Sequence, residues 1–270
     1  MKIGIVTINY NQADFLREAI DSVKVSEPGK LQYVIVDPGS TDNSAEIIEE
    51  YRKKGKFYKC LLEPDKGAAD GLNKGIQACD AEIMGCLNAD DRYLPGALDY
   101  VLEFFEQHPE VDVLTGMGNI IDSKGKARYK KAVSIPFTLQ NYLIHCGSVL
   151  QQATFYRKKA WEKAGGFNIE NKTCWDGEIL VDMALTGARF KRVFVPLGEF
   201  RIHDQSISGT GRLEELFFSD RERIDQKIID AGIERPSILK SHSIRYFTKL
   251  NPEKLFYQFV PDFLYARKIK

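Results

Sequence analysis

The sequence lacks any stretch that approaches the roughly 20 apolar residues needed for a membrane-spanning helix. Near the N-terminus, the apolar run from Ile3 to Ile8 is interrupted by Gly4 and Thr7 and is too short for the apolar region of a secretory signal. We interpret this run as a buried first strand, and we expect a soluble body.

The sequence also lacks net charge, because 38 lysine and arginine residues balance 38 aspartate and glutamate residues. Nucleic-acid-binding proteins usually carry a strongly basic face, so this balance argues against nucleic acid and favours a small polar substrate. The five cysteines are scattered without a CxxC pair, which argues against a disulfide framework and against a zinc site. A reducing cytoplasm is the expected compartment.

No GxGxxG motif follows the first predicted strand, which argues against a dehydrogenase. From residue 1 to about residue 121, short β-branched runs instead alternate with segments of helical period, a pattern typical of βαβ units and a mostly parallel sheet. Strands are predicted at residues 3–8, 33–37, 60–63 and 82–87, and the helix after the third strand is predicted at residues 67–78.

The alternation weakens beyond residue 122, so we expect a mixed or antiparallel half built onto the parallel half. Strands are predicted at residues 126–131, 153–156 and 191–197, with helices at 159–164, 176–186 and 212–233. The length permits one large α/β domain with a small appendage. The prediction is a domain over residues 1–211, with halves at 1–121 and 122–211, and a helical C-terminal extension over 212–270.

Polar clusters stand where each predicted strand of the first half ends and a helix begins. In an open α/β sheet, ligands bind at this edge because helix N-termini and unpaired backbone donors gather there. The clusters therefore predict one shared site. Their members are Thr7, Asn9 and Tyr10 after the first strand, Asp37 after the second, Asp65, Lys66 and Gly67 after the third, and Asn88, Asp90 and Asp91 after the fourth.

The adjacent carboxylates Asp90 and Asp91 suit a hard cation such as Mg²⁺ or Mn²⁺, which prefers oxygen ligands. Such a cation could neutralise the charge that develops on a departing diphosphate. The alternative is a helix N-terminus, where acids favour the helix dipole. Asp37 could bind a base or a ribose beside a glycine turn that permits close approach, or it could form an ordinary Asx turn.

Over residues 3 to about 208 the sequence resembles the family 2 glycosyltransferases, which are inverting enzymes with the GT-A fold. The order and spacing of several short pieces carry the resemblance, rather than any single piece. They are TINYN at 7–11, VDPGSTD at 36–42, DKG at 65–67, NKG at 73–75, NADD at 88–91, QATFYR at 152–157, GGF at 165–167, DGEIL at 176–180 and RIHDQSIS at 201–208.

The resemblance implies transfer of a sugar from a nucleotide diphosphate donor, with a UDP-sugar favoured, to a hydroxyl of a saccharide or a lipid-linked saccharide. The usual setting is bacterial polysaccharide or glycolipid synthesis in the cell envelope. Residues 1–121 would be the nucleotide-sugar-binding half and residues 122–211 the acceptor half. The positions that match Thr7, Tyr10, Asp37 and Asp65 would line the nucleoside pocket, with Lys66 and Gly67 near the donor. Asn73, in another of the matching pieces, is also expected to bind substrate.

The positions that match Asp90 and Asp91 would form the site for the ribose and for Mn²⁺ or Mg²⁺. Asn88 stands where many members of the family have an aspartate, and Asp182 stands where many have an arginine after the catalytic helix. Arg201 and His203 lie in the segment that would fold over the diphosphate. Arg201 is the expected phosphate partner, and His203 could ligate the metal, bind phosphate or be solvated.

The resemblance assigns Asp176 as the general base. A carboxylate that faces the anomeric carbon opposite the leaving group can take the proton of an acceptor hydroxyl as the new bond forms. The neighbouring Trp175 would shape the acceptor pocket and raise the proton affinity of Asp176 by desolvation. The alternative is that Asp176 caps the helix and Glu178 is the working acid.

Two segments suggest further contacts. Residues 206–211 are flexible enough for a lid over the donor. Residues 249–270 interleave aromatic and basic side chains, which suits either peripheral contact with an anionic membrane at its inner face or docking on the main domain or in a homodimer.

Two other functions stay open. A nucleotidyltransferase of similar architecture would have a glycine-rich, basic loop after the first strand, whereas residues 9–12 read NYNQ. The second function is that of a sugar-nucleotide-binding or scaffold protein without catalytic activity. The presence of Asp90, Asp91 and Asp176 argues against it, while Asn88 and Asp182 keep it under consideration.

Overall fold

The computed structural model describes residues 1–132, 135–146, 149–204, 206 and 213–249. The strands in these ranges are β1 (Ile3–Ile8), β2 (Leu31–Val36), β3 (Lys59–Leu61), β4 (Ile83–Asn88), β5 (Arg92–Tyr93), β6 (Val113–Ile121), β7 (Ala127–Ala132), β8 (Thr154–Arg157) and β9 (Phe190–Arg201). The α-helices are α1 (Ala13–Ser22), α2 (Ser44–Lys53), α3 (Ala68–Gln77), α4 (Ala97–Gln107), α5 (Leu139–Leu143), α6 (Lys158–Lys163), α7 (Trp175–Leu185), α8 (Glu214–Asp230) and α9 (Ile238–Lys249). Short 3-10 turns at Pro28–Lys30 and Gln151–Ala153 precede β2 and β8.

The strands form one mixed sheet in the order β3-β2-β1-β4-β8-β6-β9-β5, with β7 paired to β6. The first four strands of this order are parallel to one another. β8 lies antiparallel between β4 and β6, β9 runs parallel to β6, and β5 and β7 are antiparallel additions. The expected α/β fold, with a parallel half followed by a mixed half, is confirmed.

Helices cover both faces of the sheet. Because side chains alternate along a strand, Ile3 and Ile5 of β1 face one way and Val6 faces the other. Ile3 and Ile5 pack with residues of α1, α2 and α4, whereas Val6 packs with residues of α3, α7 and α8. The sheet thus separates two apolar layers, and its strand ends lead into the loops that carry the polar clusters.

Helix α3 approaches the sheet closely at two glycines. A Cβ atom at Gly75 would lie 2.3 Å from Cγ1 of Val6, and one at Gly71 would lie 2.8 Å from Oδ2 of Asp65. Neither position accepts a side chain without a shift of its neighbour. The close approach places the first turns of α3 directly beside the loop that follows β3.

Several boundaries differ from the predictions. The third strand, predicted at 60–63, ends two residues earlier because its register on β2 ends at Val36↔Leu61. The strand predicted at 191–197 is the longer β9, since it pairs with β6 as far as Ile121↔Arg201. The short elements β5 and α5 are absent from the prediction, because segments of this length carry too little periodicity to recognise.

The predicted amphipathic helix at 212–233 corresponds to α8, which buries Ile224 and Ile228 in the layer that contains α3 and α7. Helix α9 lies within the predicted helical C-terminal extension over residues 212–270. Residues 250–270 of the tail, and all of the proposed lid except Ser206, lie outside the described residues. In the part of the chain that the structure describes, no helix combines the length and the apolar character needed to cross a membrane.

Candidate active site

The strand ends of the parallel half meet at one edge, as predicted. The registers pair Ile8 of β1 with Val36 of β2 and with Asn88 of β4. The hydrogen-bond ladder continues into the loops, where Asn9 N donates to Val36 O at 2.9 Å and Ala89 N donates to Ile8 O at 3.0 Å. The loops that begin with Asn9, Asp37 and Ala89 therefore start side by side.

Asp37 shapes the loop after β2. Its Oδ1 accepts hydrogen bonds from the amides of Gly39 at 2.9 Å and Ser40 at 2.7 Å, and its Oδ2 accepts one from Asn9 Nδ2 at 2.6 Å. Gly39 has a φ of 114°, a conformation that favours glycine. The Asx turn considered from the sequence is present, so Asp37 holds the loop in shape and joins it to Asn9.

Asn9 has a side-chain oxygen that no described residue satisfies, whereas both carboxylate oxygens of Asp37 are hydrogen-bonded. Its amide nitrogen is hydrogen-bonded to Asp37 and to Ser40, but its buried Oδ1 has no hydrogen-bond partner among the described residues. Tyr10, the next residue, exposes 61% of its surface. Of the predicted residues after β1, Asn9 thus offers a buried acceptor, and Tyr10 offers an accessible ring.

Thr7 does not fit the prediction that its side chain lines a pocket. It is fully buried, and its Oγ1 accepts a hydrogen bond from the Tyr33 hydroxyl at 3.0 Å. The side chain therefore ties β1 to β2 inside the core. The sequence did not reveal this because β1 has buried side chains on both of its faces.

The loop after β3 brings Asp65, Lys66 and Gly67 to the same edge. Asp65 Oδ1 accepts a hydrogen bond from Gly67 N at 2.8 Å, and burial raises the pKa of this carboxyl. Lys66 is exposed, and its carbonyl accepts a hydrogen bond from Lys172 Nζ at 2.9 Å. Lys172 is a second exposed cation at this edge that sequence reasoning did not identify, because it comes from the loop before α7.

Both polar atoms of the Asn73 side chain form hydrogen bonds within the protein. Its Nδ2 donates to the carbonyl of Phe167 at 2.8 Å, and its Oδ1 accepts from the amide of Phe167 at the same distance. The residue joins α3 to the loop at 165–167. The prediction that Asn73 binds substrate is therefore corrected to a structural role that links two of the matching motif pieces.

Asp91 is buried and fully engaged, with 1% of its surface exposed. Its Oδ1 accepts a hydrogen bond from Arg201 N at 2.8 Å, and its Oδ2 accepts hydrogen bonds from Gln152 Nε2 and, at 3.3 Å, from Asn88 Nδ2. Burial, and then the charge of Asp90, raises the pKa of Asp91 well above its usual range. The structure does not support Asp91 as a metal ligand. It joins β4, β9 and the turn before β8.

The side chain of Asp90, unlike that of Asp91, contacts His203. The distance from Asp90 Oδ2 to His203 Nε2 is 3.2 Å, and the side chains are 16% and 5% exposed. The ring of Phe15 packs on the imidazole with 4.7 Å between ring centroids. The alternative of a solvated histidine is thus excluded. The helix-cap alternative for Asp90 is excluded too, because the next helix, α4, has Gly96 at its N-cap.

The donor set of Asp90 and His203 suits Mn²⁺ better than Mg²⁺, because Mg²⁺ prefers oxygen ligands. A carboxylate oxygen and an imidazole nitrogen can both ligate Mn²⁺, and such ions usually complete their shell with water and substrate phosphates. Within the described ranges, no group of three or more His, Cys, Asp or Glu side chains is arranged to hold a metal ion. Substrate oxygens would therefore have to supply the remaining ligands.

Arg201 does not reach the surface, contrary to its predicted role as the phosphate partner. The side chain is fully buried, donates to Asp90 O at 2.7 Å, to Asp122 O at 3.1 Å and to Glu18 Oε2 at 2.8 Å, and stacks on Phe15 at 4.7 Å. These contacts hold the backbone of Asp90 in place. The sequence gives no indication of them, because Glu18 and Arg201 are 183 residues apart.

Asp176 lies in the first turn of α7. The N-cap position is Cys174, so the proposed capping role of Asp176 is not realised. Its Oδ1 accepts a hydrogen bond from Gly177 N at 2.8 Å, and burial raises the pKa of the carboxyl. Trp175 packs edge-on against Phe167, with ring centroids 5.4 Å apart.

Asp176 faces a cavity of about 480 Å³ that we call the Asp176 cavity. Its walls are largely aromatic and apolar, and they also carry the polar side chains of Gln151 and Tyr142. The aromatic lining residues are Phe137, Tyr142, Tyr156, Phe167, Trp175 and Phe217. A carboxylate surrounded by such walls is partly desolvated, which is the environment that the sequence predicted for the base.

Glu178 is not a substitute for Asp176. It is fully buried, accepts hydrogen bonds from Arg223 Nη1 and Lys227 Nζ at 2.6 Å each, and accepts another from Asn171 Nδ2 at 2.7 Å. Although burial opposes the change, these donors lower the pKa of Glu178 to about 2. Glu178 therefore holds α8 against α7 and is not directed to a substrate.

The Asp90–His203 contact and the Asp176 cavity adjoin through the turn at Gln151–Ala153. Gln152 donates to Asp91, whose neighbour Asp90 contacts His203, while Gln151 lines the Asp176 cavity. Sequence reasoning included Gln152 in a motif without assigning it a role, and it did not single out Gln151. The structure thus connects the Asp90–His203 contact to the Asp176 cavity by two successive residues.

Residues 4–165 match the sequence model of the glycosyl transferase family 2. The chain belongs to this family. It is 29% identical over 212 residues to an uncharacterized glycosyltransferase of Nostoc sp., which covers 75% of this chain and 65% of that protein. It is 35% identical over 114 residues to a poly-beta-1,6-N-acetyl-D-glucosamine synthase of Staphylococcus epidermidis, which covers 42% of this chain and 28% of the synthase. The chain thus spans less than two thirds of the length of both relatives.

Solved glycosyltransferase structures share the fold of this family 2 member. TarS of S. aureus in complex with UDP-GlcNAc has a TM-score of 0.64 at 17% identity, over 86% of this chain and 72% of TarS. A mannosyltransferase from Pyrobaculum calidifontis in complex with GDP-Man and Mn²⁺ has a TM-score of 0.60 at 16% identity, over 95% of this chain and 72% of that one. These similarities confirm the GT-A type of fold.

In this family member, Asn88 and Asp182, the two residues expected to depart from the family pattern, have partners in the fold. Asn88 donates to the buried Asp91, as described above. Asp182 accepts hydrogen bonds from Lys227 Nζ of α8 at 2.9 and 3.1 Å. Asp182 on α7 is therefore paired with an opposite charge on α8.

Proposed function

We propose that this glycosyltransferase moves a sugar from a nucleotide diphosphate donor to an acceptor hydroxyl, with inversion at the anomeric carbon. Asp176 is the general base, and Asp90 with His203 holds the divalent cation. The observation that carries the proposal is a desolvated carboxylate in an aromatic cavity that adjoins the Asp90–His203 contact through Gln151 and Gln152.

The base chemistry follows from the surroundings of Asp176. An acceptor hydroxyl becomes a good nucleophile when a positioned carboxylate takes its proton in the transition state. Burial raises the pKa of Asp176, which makes it a stronger base than an exposed aspartate. The hydrogen bond from Gly177 N to Oδ1 orients the carboxylate towards the cavity. In this role Asp176 accepts the proton on the side opposite the leaving diphosphate, which enforces inversion.

Stabilisation of the departing diphosphate depends on Asp90 and His203. When bound, Mn²⁺ or Mg²⁺ would supply positive charge to the departing diphosphate. Asp90 and His203 would hold the ion from two distant parts of the chain, and Phe15 and Arg201 fix these two residues in place. The mannosyltransferase with a similar fold, which was solved with GDP-Man and Mn²⁺, supports the same kind of ion here.

A UDP-sugar is the proposed donor. TarS was solved in complex with UDP-GlcNAc, and the staphylococcal relative is named as a synthase of an N-acetylglucosamine polymer. At the nucleoside end, Tyr10 offers an exposed ring for stacking, and Asn9 Oδ1 is a buried acceptor suited to a base N–H donor. The exposed side chains of Lys66 and Lys172 add positive charge beside this region.

The proposed acceptor is a saccharide or a lipid-linked saccharide in bacterial polysaccharide or glycolipid synthesis. The relationship to the staphylococcal synthase supports this setting. We propose a cytoplasmic enzyme that reaches a membrane-bound acceptor at the inner face. The tail beyond residue 249 stays the predicted element for contact with the membrane or with a second copy of the chain.

The test uses Asp176→Asn and Asp90→Asn in parallel. Asp176→Asn should reduce turnover of UDP-sugars about 10²- to 10⁴-fold, the usual contribution of a general base, while UDP still binds. Asp90→Asn should abolish the Mn²⁺-dependent rise in melting temperature that UDP produces. Turnover is measured as UDP release with saccharide acceptors, and binding is measured by thermal shift.

Asp14→Asn is the matched control, because Asp14 is an exposed residue of α1 outside the site. It should leave both measurements at the parent values. Parent-level turnover by Asp176→Asn would remove the assignment of the base. Absence of any UDP effect on the parent protein would remove the proposed donor.

A further inference from the structure

The Asp176 cavity contains three buried polar atoms without a hydrogen-bond partner among the described residues. They are the hydroxyl of Tyr142 and both terminal atoms of the Gln151 side chain, Nε2 and Oε1. Tyr142 as a whole is only 3% exposed. Because a buried polar group without a partner destabilises a fold, such groups in a cavity point to a ligand that completes their hydrogen bonds.

Tyr142 is held in a fixed orientation beside the base. The guanidinium of Arg221 lies 3.6 Å from the centre of its ring, and the Arg221 side chain also donates to its carbonyl. A Cβ atom at Gly177, the residue after Asp176, would lie 3.1 Å from the Tyr142 hydroxyl. Burial raises the pKa of Tyr142, so the hydroxyl keeps its proton and can donate to a ligand oxygen.

Gln151 lies between the Asp90–His203 contact and the base Asp176. The next residue, Gln152, donates to Asp91 beside the Asp90–His203 contact, whereas Gln151 itself lines the Asp176 cavity. If the proposed function is correct, the transferred sugar must occupy the space between the diphosphate site and Asp176. Gln151 is then placed against that sugar and not against the nucleoside.

The chemistry of these groups restricts the sugar. The Gln151 amide can donate from Nε2 to the carbonyl of a ligand acetamido group, and its Oε1 can accept from a ligand N–H or hydroxyl. The Tyr142 hydroxyl can add a second donor, and the aromatic walls can surround a methyl group. An acetamido substituent combines all three features, whereas a hydroxyl at the same carbon cannot fill the apolar part.

We propose that the Asp176 cavity binds the 2-acetamido group of the transferred sugar, with Gln151 and Tyr142 as the residues that determine this specificity. The inference rests on the proposed function and names its substrate class. The donor would be a UDP-linked 2-acetamido sugar, and the matching sugar with a 2-hydroxyl would bind more weakly.

The experiment compares UDP-GlcNAc with UDP-glucose, which differ only at C2, and uses UDP alone as the reference. Dissociation constants are measured by calorimetry with Mn²⁺ for the parent protein, for Gln151→Met and for Tyr142→Phe. Gln77→Met, at an exposed position of α3, is the matched control. The melting temperature and the circular dichroism spectrum of each variant establish that it is folded.

We expect the parent protein to prefer UDP-GlcNAc at least about tenfold, since a site built to hydrogen-bond a ligand group discriminates against analogues that lack it. Gln151→Met should remove most of this preference, and Tyr142→Phe should remove part of it. Affinity for UDP and for UDP-glucose should be unchanged in both variants. The KM for UDP-GlcNAc should rise in parallel.

Equal affinity of the parent protein for the two sugars would overturn the inference and leave the proposed function intact, provided that UDP itself binds. The same conclusion follows if both variants keep the parent preference, or if they weaken UDP and both sugars equally. Failure of UDP and of both UDP-sugars to bind the parent protein would instead reject the proposed donor.

Discussion

Two regions of the site use buried polar side chains in opposite ways. Asp37, Asp91 and Arg201, which we call the strand-end framework, each take part in three or more hydrogen bonds with other described residues, at least one of them distant in the sequence. In the Asp176 cavity, Gln151 and Tyr142 have polar atoms that no described residue satisfies. The first region maintains the geometry of the strand ends, and the second keeps hydrogen-bonding capacity for a ligand.

This difference predicts which property a substitution changes. Removal of a hydrogen-bonded buried group leaves its partners unsatisfied and lowers stability. Removal of a group that has no protein partner should leave stability unchanged or raise it, and should affect binding or catalysis instead. The two regions can therefore be separated by measurements of stability and activity on the same variants.

The largest stability effect is expected for Arg201→Met. The substitution removes a fully buried guanidinium that donates to Glu18, Asp90 and Asp122. Loss of such a buried network should lower the free energy of unfolding by about 3 kcal/mol. Urea denaturation followed by circular dichroism measures it.

Arg17→Met provides the comparison for Arg201→Met. Like Arg201, Arg17 forms an ion pair with a glutamate, since it contacts Glu50 at 2.7 Å. Its side chain, however, is 51% exposed. An exposed ion pair contributes little, so the expected loss is below about 1 kcal/mol. Similar losses in the two variants would show that burial of Arg201 does not have the role described here.

A smaller effect, dependent on pH, is expected for Glu178→Gln. The folded pKa of Glu178 is about 2, below its ordinary value of 4.5. The stability that Glu178 contributes is therefore present above about pH 4.5 and is lost as the pH falls towards 2. The parent protein should lose about 2–3 kcal/mol more than the variant across this window.

The measurement for Glu178 is urea denaturation from pH 2 to pH 7. Glu162→Gln, at an exposed position of α6, is the control and should follow the parent curve. Parallel curves for the parent protein and Glu178→Gln would mean that the contacts with Arg223 and Lys227 do not stabilise the folded state.

The smallest effect, of opposite sign, is expected for Asp176→Asn. Burial raises the pKa of Asp176, so its favourable contribution is complete below the unfolded pKa and is lost as the pH rises through the folded pKa. Above that pH, the ionised carboxylate is a cost that asparagine lacks. The variant should gain up to about 1 kcal/mol of stability at pH 8, a trade of stability for activity.

The gain for Asp176→Asn should disappear at pH 4, where the parent carboxyl is increasingly protonated. Thermal unfolding at both pH values tests this. A loss of stability at pH 8 would place Asp176 with the strand-end framework and would end the contrast between the two regions.

The positions of the loops were predictable because they depend on local patterns. Buried β-branched runs followed by helical periodicity indicate βαβ units, and parallel strands bring their carboxyl ends to one edge. The predicted loops after β1, β2, β3 and β4 do meet there. The aromatic surroundings of Asp176 were also foreseen in part, from its neighbour Trp175.

The roles of individual polar residues were less predictable. Asp90 and Asp91 are neighbours of the same type, yet Asp91 is enclosed by Gln152 and Arg201 while Asp90 meets His203. Thr7, Asn73 and Arg201 were assigned to ligands and instead bond to the protein. Each of these outcomes depends on a partner that lies between 26 and 183 residues away in the sequence.

The sequence by itself determined the alternation of strands and helices and the set of acids and amides at the strand ends, because hydrophobic period and turn residues act over a few neighbouring positions. Only the tertiary structure decided which of these groups are satisfied inside the protein and which remain for a substrate. The physical reason is that a side chain's hydrogen-bonding capacity is used by whichever distant segment packs against it. Packing placed partners around Asp91 and Arg201 and left Gln151 and Tyr142 facing a cavity.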